Sequence, residues 1–496
     1  MYLFPGQIGE VVFTLLVTVV VATGLLIVLA VGRHWRRDKR FRRLDRLREI
    51  YGPVVARLLA GKLGYDQAFY VLNAISTPDR LAVLELLCLE KKPSPAALPL
   101  IRELCEDLGM VGIWQQRLSP RADAVPFRTL LAHPKTLWLR LTHLGFLERA
   151  KSAENLGAIR HQPSWPLLVG ALRDPHPDVQ QVAERALAAI AEPQSFGPLV
   201  RRLHTAVLDP GAGICPRSVK AALSSFPLEQ AAQLLPSLQH EHPEIRLLAT
   251  DIVRQMVRRR TRHEPGLVLG PEDLGPELFD LFLTTLCFDE SSEVRARAVS
   301  VIAQLQGPAA TAALFTLLND EQWFVRIHAV RAMARRPCLF QLTETDRCLS
   351  DPHWLVRQTT AKTLCLLGAP GLTEIFEHFL RTQDRSVRDQ IAEELQRAGL
   401  IPIALRRYES HTLGREARLL EQLVEQLVQM GKTRYLMEVL ANGCSENLPR
   451  NFVQDFAHLG GPEFQARLRM LIGSRILAGR EKTMDLYEIH KQRRVH

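Results

Sequence analysis

The sequence has few cysteines and lacks the motifs of the common enzyme classes. Its 496 residues include eight cysteines, and no two of them stand in CxxC spacing, which argues against a disulfide framework and a zinc site. No P-loop, HExxH, GxSxG or dinucleotide-binding fingerprint occurs. Runs of alternating β-branched residues are scarce, whereas apolar residues recur at helical spacing beyond residue 52. We therefore expect a folded, all-α protein that is not an enzyme.

Charge is absent from residues 11–31, VVFTLLVTVVVATGLLIVLAV. As a helix, these 21 residues would rise about 30 Å, the thickness of the hydrocarbon core of a bilayer. The alternative is a cleaved signal peptide, but residues 1–10 contain no Lys or Arg, the apolar run is long, and a basic segment follows it. The sequence predicts one N-terminal transmembrane helix over 11–31, after a short non-cytoplasmic N-terminus at 1–10.

The basic segment begins directly after this span. Residues 33–48 hold nine Lys or Arg against Asp38 and Asp45, a local charge of +7 out of +10 for the chain, so that only +3 remains elsewhere and nucleic-acid binding is not indicated. The positive-inside rule predicts a single-pass membrane protein with its N-terminus outside and its C-terminal part in the cytoplasm. We expect residues 32–52 to form an amphipathic helix that either lies on anionic lipid headgroups or packs on the soluble domain. The expected membrane-surface residues are Arg33, Trp35, Arg36, Arg37, Lys39, Arg40, Arg42 and Arg43.

A short phrase, Val followed by Arg, recurs with a period of 31 residues, and its arginines are Arg295, Arg326, Arg357 and Arg388. Six residues before the basic position an Asp stands in four copies, namely Asp174, Asp289, Asp320 and Asp351. Apolar residues one before, three or four after and seven after each Arg form one stripe on a helix. A fixed period of this size predicts a solenoid, because a single helical hairpin cannot bury its own apolar face.

The spacing of Asp, five residues and Arg resembles the HEAT-repeat family, in particular its short-period variety known from phycobilisome lyases. The resemblance implies a right-handed α-solenoid of antiparallel helix pairs with an Asp–Arg ladder between neighbouring units. The expected structural ladder comprises Asp289, Arg295, Asp320, Arg326, Asp351, Arg357 and Arg388. The sequence departs from the pattern with Gln180 in place of Arg, with Thr382 and His240 in place of Asp, and with a shortened unit near Lys220.

Breaks in the period predict how the chain is organised. Residues 53–128 form the helical N-terminal part of the soluble domain, and 129–262 hold irregular repeats. Arg246 and Arg295 are 49 residues apart instead of 31, and the surplus falls in the Gly- and Pro-containing segment 263–278, a predicted loop or hinge. Regular 31-residue repeats cover 279–398, and 399–496 form a helical C-terminal cap.

Metal chemistry has one candidate. Deoxyhypusine hydroxylase, a HEAT-type enzyme, binds iron through His-Glu dipeptides at equivalent places in several repeats. Here His240-Glu241 and His263-Glu264 are 23 residues apart and out of phase with the repeat. We therefore expect no metal, cofactor or catalytic residue, and the lyase activity of similar repeats is not carried by the fold alone.

A partner-binding face is predicted from the helix positions that do not belong to the buried apolar stripe. Positions two, five and nine after each repeat Arg align on one face, which the HEAT resemblance places on the concave side. The basic members and one histidine there are Arg297, His328, Arg331, Arg335, Lys362 and Arg397. These residues form either a groove for an acidic helix or tail, or ordinary solvated charges. Trp323 and Trp354, at equivalent turn positions, either pack between turns or contact a partner. His353 is predicted to be a turn residue.

Together these features predict a single-pass membrane-anchored scaffold or adaptor that holds a protein partner at the cytoplasmic face of a membrane. The expected partner has an acidic segment or is itself membrane-embedded, and anionic lipid headgroups contact the basic segment. The alternatives are a HEAT-type enzyme, either a lyase or metal-dependent, and a nucleic-acid binder that contacts backbone charge.

Overall fold

The computed structural model of the chain describes residues 5–60, 62–85, 97–119, 145–264, 266–334, 342–401 and 415–443, and a few positions from 462 to 470. It divides into two compact units, Met1–Gln233 and Leu234–His496. Within the described ranges the secondary structure is helical, apart from one isolated parallel bridge between Leu269 and Leu305. The predicted all-α class is therefore confirmed.

The first unit is a succession of helices. Its α-helices are α1 (Pro5–Leu59), α2 (Tyr65–Asn73), α3 (Thr77–Val83), α4 (Leu98–Asp107), α5 (Met110–Leu118), α6 (Gly145–Ala158), α7 (Trp165–Ala171), α8 (Pro177–Ile190), α9 (Phe196–Leu208) and α10 (Pro216–Leu223). Prolines occupy the first turn of several of them, where a missing N–H costs no helical hydrogen bond. Helix α8 packs on both α6 and α10, so helices from consecutive repeats stack.

The second unit continues the same arrangement. Its α-helices are α11 (Leu235–Leu238), α12 (Pro243–His263), α13 (Pro271–Leu274), α14 (Pro276–Thr284), α15 (Ser292–Ile302), α16 (Pro308–Leu317), α17 (Trp323–Met333), α18 (Leu342–Leu349), α19 (Trp354–Leu366), α20 (Ala369–Arg381), α21 (Arg385–Arg397), α22 (Arg415–Gln429) and α23 (Thr433–Gly443). We call α12, α15, α17, α19 and α21 the second helices, because each is the second of a pair. Each packs on the next along the chain.

The repeat phrase positions these second helices. Each begins three residues before the repeat Arg, as Ser292 does before Arg295 and Trp323 before Arg326. The apolar stripe is buried, and its alanines, Ala298, Ala329, Ala361 and Ala392, are at most 1% exposed. Small side chains at these positions let successive helices approach closely, which explains the regular stacking.

Part of the predicted loop at 263–278 is helical. Pro271 and Pro276 each stand at the start of a helix, α13 and α14, where proline fixes a helical φ. Leu269 forms its bridge with Leu305 in the same region. The Gly and Pro content therefore marks two helix starts there in addition to a turn.

Helix α1 contains both the predicted transmembrane segment and the predicted basic segment without a break. Among the residues described, no helix was found to be long and apolar enough to cross a membrane. The side chains of many residues in this helix lie outside the description, including those of Arg33, Arg36, Arg37 and Arg40. The transmembrane segment and its orientation stay predictions.

The described membrane-surface residues are exposed, but one of them contacts the folded part of its own unit. Trp35, Lys39, Arg42 and Arg43 are exposed, and the Lys39 ammonium lies 5.4 Å from the centre of the Trp35 ring. Arg43 forms an ion pair with Asp79 of α3, with 2.7 Å between Nε and Oδ1. For Arg43 the contact is thus with the protein, which was the alternative placement of the basic segment.

Candidate functional site

Arginines at the repeat position pair with aspartates of the following repeat. The Arg295 guanidinium donates to both carboxylate oxygens of Asp320 at 2.6 and 2.8 Å, and Arg326 donates to Asp351 at 2.7 and 2.8 Å. Arg246 reaches Asp289 in the same way at 2.8 and 3.0 Å. These bidentate pairs are largely shielded from solvent, and the hydrogen bond to Asp320 raises the pKa of Arg295.

The same side chains satisfy the turn that precedes each second helix. Arg295 Nη1 donates to the carbonyl of Asp289, at 2.8 Å, and Arg326 Nη1 donates to the carbonyl of Asp320, also at 2.8 Å. Each Asp in turn accepts the backbone N–H two residues further on, as Asp320 does from Gln322 at 2.9 Å. Every polar group of the ladder thus serves the turn or the next repeat, which is a structural role.

The ladder changes where the sequence departs from the pattern. Thr382 stands where the next Asp would be, and Arg357 bonds instead to Gln390 Oε1 and Ser386 Oγ, both at 3.0 Å. Arg388, predicted as a further ladder residue, has a buried Nε and no carboxylate partner among the residues described. The predicted ladder therefore does not continue as an ion pair at Arg357, because Thr382 stands where its carboxylate would be. The equivalent acceptor position for Arg388, 25 residues later, lies outside the described residues.

A second contact joins consecutive turns. The Trp323 ring stacks on His353 of the next repeat, with ring centres 4.3 Å apart and planes 4° from parallel. His353 also caps α19, since its Nδ1 accepts the Leu355 N–H at 3.3 Å. In the first unit Phe146 and His176 repeat this arrangement, with centres 3.6 Å apart. Stacking between turns is thus the contact that Trp323 makes.

Trp354 occupies the equivalent place one repeat later but has a different environment. The residue at the position of His353 in the next repeat is Asp384, which caps α21 with its carboxylate and offers no ring. Trp354 is accordingly 53% exposed, against 37% for Trp323. An exposed indole of this kind remains a candidate contact residue.

The predicted basic face lies on the second helices, and it includes a carboxylate that was not predicted there. Asp251 of α12 is buried and accepts from Arg254 Nε at 2.8 Å and from Gln255 Nε2 at 3.0 Å. Arg297 of α15 approaches the same carboxylate at 3.5 Å. The ion pairs join α12 to α15 on this face.

His328 of α17 belongs to the same cluster. Its burial lowers the pKa of His328, and the positive charges of Arg331, Arg297 and Arg254 lower it further. His328 is therefore neutral at pH 7. Three guanidinium groups remain against the single carboxylate of Asp251, so the cluster carries a net charge of +2. We call these residues, Asp251, Arg254, Arg297, His328 and Arg331, the basic cluster.

Other predicted members of the face differ in their surroundings. Lys362 is exposed on α19 and has no ion-pair partner among the residues described. Arg397 instead pairs with Glu393, at 3.4 Å, and also with the buried Glu394. Its charge is neutralised within α21, so Arg397 does not extend the basic face. Arg335 lies outside the described residues.

Arg254 and Asp251 were not among the predicted site residues. They lie on α12, whose repeat is separated from the regular array by the 49-residue interval. Counting from Arg246 places Asp251 at position five, the position that Arg331 occupies in its own repeat. Extending the count to the irregular repeat would have placed Asp251 on this face, but not its contact with Arg254 and Arg297.

The predicted metal candidate has a structural contact instead. His240 Nδ1 accepts the N–H of His242, at 3.0 Å, and so stabilises the turn before α12. The His263 side chain lies outside the description. Within the described part of the chain, no group of three or more His, Cys, Asp or Glu is placed to hold a metal ion. Burial raises the pKa of Cys287 and Cys365 to about 11 and that of Cys348 to about 12, which leaves these thiols protonated at neutral pH.

Comparisons with known proteins agree with the repeat geometry. The family model for HEAT repeats matches residues 279–337, which include most of α14 and all of α15, α16 and α17. This match shows HEAT repeats at residues 279–337, and the stacked helix pairs give the chain an all-α, solenoid-type fold. A comparison with curated proteins found no match.

Several solved structures resemble the chain at low identity. YibA of E. coli is 17% identical over 63% of this chain and 95% of its own, with a TM-score of 0.26. Kap121p is 14% identical over 88% of this chain and 56% of its own, with a TM-score of 0.34. Human deoxyhypusine hydroxylase is 17% identical over 68% of this chain and 97% of its own, with a TM-score of 0.21.

Proposed function

We propose that the chain is a protein-binding scaffold whose second helices hold an acidic segment of a partner. The observation that carries the proposal is the basic cluster, in which Arg254, Arg297 and Arg331 outweigh Asp251 on adjacent helices. Lys362 extends the positive charge to α19. The ladder arginines Arg246, Arg295 and Arg326 are already paired with carboxylates. Arg331 and Lys362 have no ion-pair partner among the residues described, so their charges are available to a ligand.

A protein partner suits this surface better than nucleic acid does. The chain outside residues 33–48 carries a net charge of only +3, given +10 in total and +7 in those residues. Asp251 also places a carboxylate inside the basic cluster, where it would repel a phosphate backbone. A short acidic helix or tail needs only a few cations and tolerates the interruption of positive charge at Asp251, so it is the ligand we favour.

We further propose that residues 11–31 hold this scaffold at a membrane, with the second helices on the cytoplasmic side. The support is the absence of charge over 21 residues, followed by nine Lys or Arg in residues 33–48. Large apolar side chains of α1 between Leu16 and Val31 are also 42–68% exposed. Such side chains need a covering, and the acyl chains of a bilayer supply one.

The partner-binding proposal is tested by charge reversal. Arg297→Glu, Arg331→Glu and Lys362→Glu together should release co-purifying protein from the full chain in mild detergent, and rising salt should weaken the wild-type complex. Arg185→Glu, Arg201→Glu and Arg217→Glu make the same change of charge at exposed positions of the first unit and should leave the complex intact. A partner that stays bound to the first variant and is insensitive to salt would contradict the proposed site.

The membrane part is tested separately with reporters fused after His496. A reporter that is active only in the cytoplasm should work there, and a reporter that requires export should fail. Neutral replacements of Arg36, Arg37, Arg40, Arg42 and Arg43 should scramble this orientation, whereas a replacement of Arg260 should not. The opposite pattern of reporter activity would overturn the proposed topology.

A further inference from the structure

A cavity of about 420 Å³ lies beside the basic cluster in the second unit. Its walls come from the end of α12, the segment after it, and the end of α15. The principal lining residues are Arg258, Thr261, Arg262, Leu267, Val268 and Gln304. Gln304 stands nine residues after Arg295 and so belongs to the predicted face, whereas the other five belong neither to that face nor to the ladder.

The cavity is positively charged. Arg258 and Arg262 are one helical turn apart, are exposed, and have no ion-pair partner among the residues described. Two helix ends nearby, those of α12 and α15, each contribute a partial charge of about −0.5 at most, which two guanidinium groups outweigh. The balance favours an anion. Planar guanidinium groups also bind carboxylate and phosphate oxygens in bidentate fashion.

The wall opposite α12 is held in place by backbone hydrogen bonds. The Leu269 N–H donates to the Gln304 carbonyl at 2.7 Å, and the Gln306 N–H donates to the Leu269 carbonyl at 2.9 Å. Leu269 and Leu305 are buried beneath this bridge. The segment that carries Leu267 and Val268 is therefore fixed against the end of α15, and the cavity is formed before a ligand arrives.

The cavity also has an apolar side. Val268 is 50% exposed and Leu267 partly so, next to the aliphatic Ala303. Thr261 and Gln304 add a hydroxyl and an amide between the apolar and the charged walls. A ligand that fits must combine an oxyanion with an apolar neighbour, which a free inorganic ion does not.

Arg254, Arg258 and Arg262 follow one another at intervals of four residues on α12, so the cavity and the basic cluster are neighbours along that helix. We propose that this cavity binds the oxyanion side chain, a carboxylate or a phosphate, of an extended peptide in which an apolar residue adjoins the anionic one. The inference rests on the proposed function, because it places one residue of the partner's acidic segment.

The test measures peptide binding by the purified full chain with fluorescence anisotropy. Three labelled peptides differ at one site, next to a leucine, which holds Glu, phosphoserine or Gln. We expect the Glu or the phosphoserine peptide to bind the wild type at least about tenfold more tightly than the Gln peptide. The better of the two charged peptides identifies the source of the oxyanion.

Arg258→Glu with Arg262→Glu should weaken the charged peptides by about tenfold or more and leave the Gln peptide unchanged. Arg259→Glu with Arg260→Glu is the matched control, since it makes the same change of charge on α12 outside the cavity. Its effect should stay within about threefold. Should the reversal perturb folding, as judged by circular dichroism, Arg258→Gln with Arg262→Gln provides the milder variant and should weaken the same peptides.

The outcomes separate this inference from the proposed function. Equal binding of all three peptides, or equal losses in the cavity variant and its control, would overturn the cavity assignment. In that case a partner still released by reversal of Arg297, Arg331 and Lys362 leaves the scaffold proposal standing. Cavity-dependent peptide binding without release of the partner in that variant would instead overturn the proposed partner site and keep the cavity.

Discussion

Two rows of arginines occupy the same second helices and have opposite environments. Along the turns, Arg246, Arg295 and Arg326 each pair with a carboxylate of the next repeat and with turn carbonyls, and they are largely buried. On the face that carries the basic cluster, Arg297 and Arg331 are more exposed and share one carboxylate at most. The side chains are chemically identical, so their partners and burial decide their roles.

In this repeat protein, arginines with a structural role differ from candidate binding arginines in their hydrogen-bond partners. The N–H groups of a ladder arginine already donate to the protein, so a ligand could bind this arginine only by breaking the turn. An arginine of the basic cluster has N–H groups that remain available to donate to a ligand. Recurrence at the period therefore indicates structure, whereas a cation without a carboxylate of its own indicates a contact surface.

The largest predicted effect comes from breaking the ladder. Asp320→Ala leaves Arg295 without a carboxylate and removes the acceptor for the Gln322 N–H, so we expect a loss of about 3 kcal/mol in the free energy of unfolding. Urea unfolding followed by circular dichroism measures it. Binding of an acidic partner at low denaturant should hardly change. A loss below about 1 kcal/mol would show that the ladder acts as an ordinary surface ion pair.

The stacked turns predict a smaller loss. His353→Ala removes the ring that covers Trp323 and the acceptor that caps α19, which together should cost about 1.5 kcal/mol. His353→Asn is the matched variant, because it provides a capping side chain without an aromatic ring. It should recover the part of the lost stability that comes from the missing cap. If both variants unfold like the wild type, the stacking contributes nothing to stability.

Restoring a missing carboxylate should stabilise the array. Thr382 Oγ1 already accepts the Asp384 N–H, at 3.4 Å, as the ladder aspartates do in their turns. It cannot supply the carboxylate, so Arg357 lacks the ion pair. Thr382→Asp should add about 1 kcal/mol to stability. The gain should vanish in the Arg357→Ala background, and a gain that persists there would assign it to helix capping instead.

The repeat positions could be predicted from the sequence because one local phrase sets several features at once. The Val before each Arg enters the buried stripe, and the Asp six residues earlier lies in the turn, so period and helix start follow together. The pairing of Arg397 with Glu393 has a local signal, because the two residues are four apart on one helix. The burial of Glu394 has none, because it depends on Gln358 of the preceding second helix, 3.0 Å away.

The contacts of the basic cluster were hidden from the sequence for a similar reason. Asp251 meets Arg297 across two helices whose repeat positions are 49 residues apart, so the regular period of 31 does not place them together. The stacking of Trp323 on His353 likewise depends on ring orientation. In both cases the residue types were visible, but their distance was set by how one repeat packs on the next.

The smallest predicted effect concerns His328, the one imidazole of the basic cluster. Burial, then Arg331, Arg297 and Arg254, hold the pKa of His328 below its ordinary value of 6.5. The unfolded chain therefore takes up a proton there at a higher pH than the folded chain. This residue costs no stability above pH 6.5, and the free energy of unfolding should fall as the pH drops below that value, until the folded-state pKa is reached.

Binding should depend on pH in the opposite direction. An acidic segment in contact with the cluster offsets the guanidinium charges and so raises the pKa of His328. Protonated His328 then adds a positive charge that attracts the segment, so the affinity should increase below pH 6.5. Urea unfolding and anisotropy, each measured at pH 7.5 and 5.5, roughly one unit on either side of 6.5, test both signs. His328→Gln should flatten both dependences by about half a kcal/mol. A variant with the pH dependence of the wild type would exclude His328 as the titrating group and leave only the arginines to contact the ligand.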